Sequence, residues 1–281
     1  MICVVGALAL DVIARRDRFL AGTSNPASIR FAAGGVGYRI WRRLPPPKSF
    51  ITAVGGDPAG KWLLAELRAQ GERPRALLLE RYPTARYCAL MESGRLLFGA
   101  ADMEVIERGL TWKRLAPRFP RLAAQNLLVL EANLAPSMVG TLIRRCAKRT
   151  RIVFESVSVE KLMRHADHLR DLYLLSVNED ELAALRGRVG AERRFLIERG
   201  IGNLLVTRGP RGARLHSRTD DGKLRVTSLP PARVIRTQDT TGAGDRLLAA
   251  LLSRVIGGAS PETALPEAMR EVEAALEEGS L

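Results

Sequence analysis

Short apolar runs alternate with amphipathic stretches along this chain of 281 residues. The apolar runs have the length of buried strands, and they cover residues 2–5, 127–130, 151–154, 172–175 and 203–206. Apolar residues recur at helical spacing over residues 61–70, 138–148, 179–186 and 191–198. Strands that alternate with helices in this way predict an α/β fold, with a mostly parallel sheet covered by helices on both faces.

A second pattern, of residues that alternate between apolar and polar, covers positions 86–91 and 95–100. The two runs flank Glu92-Ser93-Gly94-Arg95, and they predict a β-hairpin that turns there. No internal repeat or low-complexity linker divides the chain. Its length and its 46% hydrophobic content suit one domain over residues 1–281.

The charge is the unusual property of the composition. Lys and Arg number 44 against 30 Asp and Glu, which gives a net charge of +14 and an isoelectric point near 10.7. This excess favours anionic partners such as ATP or a phosphorylated substrate, and it would also suit RNA. Because the basic residues are dispersed and aromatic residues make up only 5%, a nucleic-acid partner is the less favoured expectation.

Location and redox state follow from simpler features. The longest apolar runs are well short of a membrane span and no basic leader precedes the first strand, so we expect a cytoplasmic protein without a membrane partner. The three cysteines, Cys3, Cys88 and Cys146, are unevenly spaced and form no C-x-x-C pair. This argues against a disulfide framework and against a structural zinc site.

The most informative motif is Asp239-Thr240-Thr241-Gly242-Ala243-Gly244-Asp245, which precedes an apolar stretch at helical spacing. At a helix entrance the first amide groups have no intrahelical partner and the helix dipole is positive. Gly242, Ala243 and Gly244 could therefore form an anion hole around a phosphate. A carboxylate beside bound phosphate suits a general base, so Asp245 is the candidate catalytic residue. An ordinary acidic first turn is the alternative interpretation.

This motif resembles the late signature of the ribokinase-like, or PfkB-type, carbohydrate and nucleoside kinases. Four further matches occur in the order of that family, and together they cover nearly the whole chain: Gly34-Gly35, Val54-Gly55-Gly56-Asp57 with Gly60, Asn178 with Glu181, and Val206-Thr207-Arg208-Gly209 with Gly212. The resemblance implies a ribokinase-like fold and ATP-dependent phosphorylation of a primary hydroxyl on a ribose-like sugar or nucleoside. It also implies a small β lid over the sugar, with strands near residues 13–30 and 76–100, through which subunits often pair as a homodimer.

Within that family the chain is most similar to pseudouridine kinases, and pseudouridine is therefore the leading substrate. The similarity is carried by three groups of residues: Ser24-Asn25-Pro26, Ala101-Asp102-Met103 followed by Leu110-Thr111, and Val157-Ser158 before Lys161. It adds Asn25 to the expected substrate-binding residues.

The resemblance also implies roles around the sugar. Asp11 follows the first strand and would accept hydrogen bonds from sugar hydroxyls, although a turn-forming aspartate is the alternative. Gly34 and Gly35 would let the backbone approach the sugar, or would simply begin a helix.

Further implied roles concern the nucleotide and its cations. Asn178 and Glu181 would orient water bound to Mg²⁺, although Asn178 could merely cap a helix. Thr207, Gly209 and Gly212 would flank ATP, although a turn after a strand explains them nearly as well. Asp239 and Thr241 resemble the loop that binds a monovalent cation such as K⁺ in some family members.

Five residues depart from the family pattern. Arg39 replaces an asparagine that would touch the sugar, and Glu131 and Glu155 stand where aspartate is more usual. Ser156 replaces a usual proline, and Arg246 follows the catalytic position where a small residue is usual. Arginine only donates hydrogen bonds and always carries a charge, so Arg39 would either favour an acceptor with a carboxylate or phosphate, or fill the pocket. The alternative function is therefore a catalytically weakened family member that binds a nucleotide or RNA.

Overall fold

Strands and helices alternate through the computed structural model, which describes residues 1–190, 192–219, 222–231 and 242–278, apart from the side chains of residues 119, 189, 192 and 193. The strands are β1 Ile2–Val5, β2 Ala9–Arg16, β3 Ser28–Gly34, β4 Lys48–Gly55, β5 Arg75–Leu79, β6 Arg86–Glu92, β7 Arg95–Asp102, β8 Leu127–Glu131, β9 Arg151–Glu155, β10 Leu174–Asn178, β11 Asn203–Thr207, β12 Ala213–Arg218 and β13 Leu224–Leu229. The α-helices are α1 Val36–Arg43, α2 Pro58–Ala69, α3 Trp112–Leu115, α4 Phe119–Ala123, α5 Pro136–Cys146, α6 Val159–His165, α7 Glu179–Val189, α8 Glu192–Glu198, α9 Ala243–Ile256 and α10 Pro261–Glu277. A π-helical turn covers Val105–Gly109, and short 3-10 turns cover Ala116–Arg118 and Gly209–Arg211.

The large sheet has nine strands in the order β13-β12-β11-β10-β9-β8-β1-β4-β5. The seven strands from β11 to β5 run parallel, and β12 and β13 extend the sheet as two antiparallel strands, with β13 at the edge. Parallel strands need helical crossovers, and those helices cover both faces of the sheet. The predicted α/β architecture is therefore confirmed.

Two hydrophobic cores lie on opposite faces of this sheet. Along β1, Ile2 and Val4 pack into the core beneath α1, α2, α9 and α10, whereas Cys3 and Val5 pack into the core beneath the helices α3 to α8. Strands that are buried on both faces become continuous apolar runs. This is why the short apolar stretches of the sequence were such reliable strand predictions.

The small sheet has four strands in the order β3-β2-β6-β7. Its β6–β7 hairpin was predicted, and the turn residues Ser93 and Gly94 both have positive φ, of 46° and 79°. A two-residue hairpin loop favours that conformation because it matches the twist of the strands. The first two strands of the small sheet extend beyond the expected residues 13–30 at both ends, since β2 starts at Ala9 and β3 ends at Gly34.

Two boundaries require correction. Residues 76–79, expected in the lid, belong to β5, which pairs with β4 in the large sheet and packs Leu77 and Leu79 against the core under the helices α3 to α8. The strand predicted at 172–175 begins two residues later as β10, because Leu172 is buried in the loop that precedes it. Burial alone does not distinguish such a loop from a strand. No described helix is long and apolar enough to cross a membrane.

Candidate active site

A cavity of about 690 Å³ opens at the carboxyl ends of β9, β10 and β11, between those strands and the helices α9 and α10. Ligands gather at this edge of open parallel sheets, where successive loops meet. The cavity brings together ten of the residues predicted from the sequence: Arg39, Asn178, Glu181, Thr207, Gly209, Gly212, Gly242, Ala243, Gly244 and Asp245.

The entrance of α9 forms one wall of the cavity. Gly242 caps this helix in the left-handed conformation, with φ of 86°, and among the described residues no side chain accepts a hydrogen bond from the amides that follow. A Cβ added to Gly244 would meet no atom of the other described residues within 4 Å, apart from the backbone of its own helix, so this position faces open space. The first turn of α9 therefore presents unobstructed amide groups to the cavity, as an anion hole requires.

Asp245 lies in the same first turn and is buried. Burial raises the pKa of its carboxyl to about 6, and the nearby guanidinium groups of Arg39 and Arg43 limit that increase. At neutral pH the carboxylate is mainly ionised, and its pKa lies close enough to ambient pH for efficient proton transfer.

Arg39 lies between two carboxylates. Its Nη2 is 2.5 Å from Asp11 Oδ2, and its Nη1 is 3.8 Å from Asp245 Oδ2. The guanidinium is therefore not an unpaired cation that awaits an anionic substrate. It instead links the residue expected to hold the sugar with the residue expected to deprotonate it.

Glycines pack tightly where β3 meets α1. A Cβ on Gly34 would lie 2.0 Å from the Asp11 carboxylate, and a Cβ on Gly35 would lie 2.5 Å from the carbonyl oxygen of Ala7. Gly35 also has φ of 95°, which favours glycine. Both glycines are thus required by packing, and Gly34 leaves the space in which the Asp11 side chain lies. Asp11 itself is buried, and burial raises its pKa although Arg39 opposes the increase.

Asn178 and Glu181 form a complete capping box at the start of α7. Asn178 Oδ1 accepts from the amide of Glu181 at 2.8 Å, and Glu181 Oε2 accepts from the amide of Asn178 at 2.7 Å. Ser156 Oγ donates to the same Glu181 oxygen at 2.5 Å. The capping interpretation is therefore confirmed, and both side chains line the cavity as well.

Glu155, at the carboxyl end of β9, is a cavity residue that was not among the predicted site residues. Its Oε2 is buried and forms no hydrogen bond with the described residues. Burial and the neighbouring charge of Asp245 raise the pKa of Glu155 well above its usual range. Sequence reasoning could have found Glu155 from its position, because it ends the apolar strand β9, which lies next to β10, and ligands bind at the carboxyl ends of such strands.

The backbone that follows Glu155 is strained. Val157 has φ of 66°, a conformation that is unfavourable for a β-branched residue. The amide of Ser158 donates to the carbonyl of Ser156 at 2.7 Å and closes a tight turn around Val157. Such strain persists where the surrounding structure imposes it, often at functional sites, and Val157 lines the cavity.

The far end of the cavity is less polar. Thr207 ends β11, and Gly209 and Gly212 bound the 3-10 turn before β12, with φ of 53° and 85°. A Cβ on Gly212 would lie 2.1 Å from the carbonyl oxygen of Leu229, so the turn also requires glycine for packing. Opposite this turn, α10 contributes apolar side chains that suit a planar base: Met269, Val272 and Leu276.

Other predicted residues lie elsewhere. The amide of Asn25 is occupied within the loop between β2 and β3, where Oδ1 accepts from Arg16 and from the Leu20 amide, and Nδ2 donates to two carbonyl oxygens. Asn25 does not line the cavity. Asp239 and Thr241, the expected monovalent-cation residues, lie outside the described residues.

Glu131 links the loop after β1 to the loop after β8 through hydrogen bonds. Its buried carboxyl accepts from the amides of Ala7 and Asn133, and Lys161 in turn donates to the Asn133 side chain. Burial raises the pKa of Glu131 to about 7. A Cβ on Gly6 would lie 2.7 Å from this side chain, so the larger glutamate is accommodated by a glycine on the neighbouring strand end.

The donor set near Asp245 is rich in oxygen. Glu155, Glu181 and Asp245 share one cavity wall, and their carboxyl groups are the type of ligand that Mg²⁺ prefers. Among the described residues, no three His, Cys, Asp or Glu side chains lie close enough to hold a metal ion directly. The arrangement therefore fits an ion that is held through water and through the phosphates of a nucleotide.

Comparisons with known protein families and with individual relatives both point to carbohydrate and nucleoside kinases. The model of the pfkB family of carbohydrate kinases matches residues 1–269. Pseudouridine kinase of Escherichia coli K12 is 24% identical over 270 residues, which cover 92% of this chain and 84% of that protein. Pseudouridine kinase of Arabidopsis thaliana is 25% identical over 252 residues, which cover 78% of this chain and 66% of that protein.

Solved structures of similar fold include a carbohydrate kinase from Agrobacterium tumefaciens, with 27% identity and a TM-score of 0.78 over 96% of this chain and 89% of that one. Ribokinase of Arabidopsis thaliana complexed with ribose and ATP has 20% identity and a TM-score of 0.77 over 98% of this chain and 92% of that one.

Proposed function

The chain belongs to the pfkB family of carbohydrate kinases and is a sugar or nucleoside kinase, and we propose that it transfers the γ-phosphate of ATP to a primary hydroxyl group of pseudouridine. The observation that carries the proposal is the position of Asp245, buried in the first turn of α9 behind amide groups that face an open cavity. The similarity to two pseudouridine kinases supports the choice of acceptor.

In the proposed reaction, Asp245 accepts the proton of the primary hydroxyl as its oxygen attacks the γ-phosphorus of ATP. The bond between that phosphorus and the β,γ-bridging oxygen breaks, and ADP leaves. Amide groups of Gly242, Ala243 and Gly244 would stabilise the negative charge on the phosphoryl oxygens. Asp11 would hold the sugar hydroxyls, provided that Arg39 releases it.

The residues proposed to bind ATP, the phosphate donor, line the same cavity. Thr207 and the turn from Gly209 to Gly212 would flank ATP, while Met269 and Val272 would contact its base. Glu181 and Asn178 would orient water bound to Mg²⁺, which supplies charge neutralisation of the phosphates. The roles of Asp239 and Thr241 in binding K⁺, and a cytoplasmic location, stay predictions from the sequence.

The test is a turnover assay with ATP and Mg²⁺ over four acceptors: pseudouridine, uridine, ribose and a phosphosugar. We expect pseudouridine to have the highest kcat/KM and its product to carry one added phosphate by mass spectrometry. Preference for another acceptor would reject pseudouridine while retaining a sugar or nucleoside kinase.

The ion pair of Arg39 with Asp11 favours a second candidate, a family member with weak phosphorylation activity that mainly binds nucleotide. A cation that already occupies Asp11 competes with the sugar hydroxyls for it. Stabilisation by ATP in a melting assay, without turnover of any acceptor, would support this candidate.

We also propose a homodimer through the outer face of the small sheet. The register places Ile29, Ala14, Leu90 and Phe98 in one row across all four strands. Ile29 and Phe98 are 61% and 62% exposed, and the neighbouring Phe31 is 57% exposed. A continuous apolar face of this kind is expected to be covered, and a second copy offers the same face in a two-fold arrangement.

A further inference from the structure

Residues 109–154 have an extreme charge asymmetry. They contain nine basic residues and a single acidic one, Glu131, which is fully buried. We call the nine the basic face: Lys113, Arg114, Arg118, Arg121, Arg144, Arg145, Lys148, Arg149 and Arg151. More than half of the net charge of +14 is thus concentrated in a sixth of the chain, so the expectation that the basic residues are dispersed is wrong for this segment.

The fold brings these residues to one side of the protein. The guanidinium of Arg145, at the end of α5, lies 4.7 Å from the ring centroid of Trp112 at the start of α3. Thr150 Oγ1 donates to the carbonyl oxygen of Ala123 at 3.2 Å and joins the end of α4 to the start of β9. The basic clusters that are separated in the sequence therefore form one surface.

The positive charge of this surface is not neutralised locally. Arg114 and Arg118 donate to backbone carbonyl oxygens at 3.0 and 3.1 Å, and Arg144 donates to the Thr141 hydroxyl at 3.2 Å. Setting Arg145 aside, no member of the basic face forms an ion pair with any residue in the described part of the chain. Several cations elsewhere do form ion pairs, as Arg254 does with Glu267 and Glu271.

A second cavity, of about 620 Å³, opens at the edge of the basic face. It is lined by Lys148, Arg149 and Arg151 together with Tyr173, whose ring centroid is 5.1 Å from the Arg151 guanidinium. The exposed carboxylate of Asp171 lies in the same wall. This cavity is at the amino end of β9, whereas the kinase cavity is at the carboxyl end, about 13 Å away along a five-residue strand.

The chemistry of the basic face selects a ligand with repeated negative charges. A membrane surface would also be anionic, but binding to it normally requires apolar side chains that insert between lipids. None of the described side chains in residues 109–154 is a large exposed hydrophobic. Cations combined with two partly exposed rings suit a strand whose phosphates bind the cations and whose bases can stack.

We propose that the basic face binds single-stranded nucleic acid through its phosphates, at a site separate from the kinase cavity. Both sites can be occupied together because they lie at opposite ends of the strands. The inference is independent of the acceptor that the kinase uses.

The test measures binding of a fluorescent 20-nucleotide oligouridine RNA by anisotropy at several salt concentrations. The variant Arg121→Gln/Lys148→Gln/Arg149→Gln removes three charges whose side chains form no described hydrogen bond. The matched control, Lys61→Gln/Arg68→Gln/Arg95→Gln, removes three exposed charges from α2 and β7. Melting temperature and ATP-dependent stabilisation check that both variants remain folded.

We expect the parent protein to bind with a Kd below about 10 μM at about 50 mM salt, with log K falling linearly as log salt rises. The basic-face variant should bind at least about tenfold more weakly, and its salt slope should be smaller by about 2, because each phosphate contact on a single strand contributes about 0.7. The control should retain nearly the parental affinity and slope.

Three results would overturn the proposal. The first is that the parent protein fails to bind the RNA in a salt-dependent way. The second is an equal loss in the variant and its control, because binding would then reflect net charge alone. The third is strong binding to phosphatidylserine vesicles without binding to RNA, which would identify the basic face as a membrane contact.

Discussion

Replacement of Arg39 by asparagine tests how the acceptor side of the active site is arranged. In the structure Arg39 contacts the Asp11 carboxylate and lies 3.8 Å from that of Asp245. Asparagine removes the charge and restores the residue that the family resemblance implies at this position. Two effects should follow, one on the pKa of Asp245 and one on the availability of Asp11.

The effect on Asp245 can be estimated from the geometry. Two unit charges 3.8 Å apart interact by about 4 kcal/mol at an effective dielectric constant of 20. Arg39 is 23% exposed and shares its charge with Asp11, so the net stabilisation of ionised Asp245 is smaller, about 1 to 2 kcal/mol. Since one pKa unit corresponds to about 1.4 kcal/mol, Arg39→Asn should raise the pKa of Asp245 from about 6 to roughly 7.

The assay is the pH dependence of kcat/KM, which reports the pKa of the free enzyme. A general base acts only when it is unprotonated, so activity falls as pH decreases through that pKa. The acidic limb should lie near pH 6 for the parent and move upward by about one unit in Arg39→Asn, while Arg39→Lys, which retains a charge, should stay near the parent. At pH 8 Asp245 is ionised in both proteins, and the freed Asp11 should raise kcat/KM for pseudouridine by about tenfold.

An acidic limb that stays in place in Arg39→Asn would refute the electrostatic argument, since Asp245 would then not sense Arg39. Lower activity at pH 8 toward every acceptor would show instead that Arg39 contributes to catalysis. A loss confined to the phosphosugar would restore the interpretation that Arg39 selects an anionic substrate.

Three further predictions concern neighbouring features. Asp245→Asn should lower kcat by about 10² to 10⁴ while ATP still binds. Because the folded pKa of about 6 exceeds the ordinary 3.8, the parent loses stability as pH rises from 3.8 to about 6; the variant should therefore melt higher than the parent by an amount equivalent to about 2 to 3 kcal/mol at pH 8, by about half of that at pH 5 and nearly equally at about pH 3, whereas a pH-independent difference would contradict this. Gly244→Val should weaken ATP binding in calorimetry, because its side chain would occupy the open space beside the first amides of α9, while Ala243→Gly serves as a control at the same helix entrance; unchanged affinity in Gly244→Val would count against the anion hole. Phe98→Arg should shift the protein from dimer to monomer in light scattering, with Trp62→Arg on α2 as an exposed aromatic control; a monomeric parent would remove the proposed dimer.

The strand and helix pattern was predictable because burial on both faces of a parallel sheet leaves apolar runs of characteristic length. The hairpin at Ser93-Gly94 was predictable because its signals are local: apolar and polar residues alternate on both sides of a turn that contains glycine, and these features are visible without knowing which strands pair. The start of β10 was not, because Leu172 is as buried in its loop as it would be in a strand. Such boundaries depend on tertiary backbone bonds, here the amide of Gly202 to the carbonyl of Leu172 at 2.9 Å.

The glycines and Asp245 could be assigned from the sequence because one contiguous motif carries both the helix entrance and the base. The charge state of the site could not, since it depends on three segments that are distant in sequence: Asp11 on β2, Arg39 on α1 and Asp245 on α9 meet only in the folded protein. A sequence shows that Arg39 is a cation but not which carboxylates surround it. With two partners in place, the arginine that seemed suited to an anionic substrate becomes a competitor for the sugar contact and a regulator of the pKa of the base. An unpaired arginine at position 39 would favour an anionic acceptor, whereas an arginine paired with Asp11 and Asp245 would not. The distances of 2.5 and 3.8 Å to these two carboxylates favour the second interpretation.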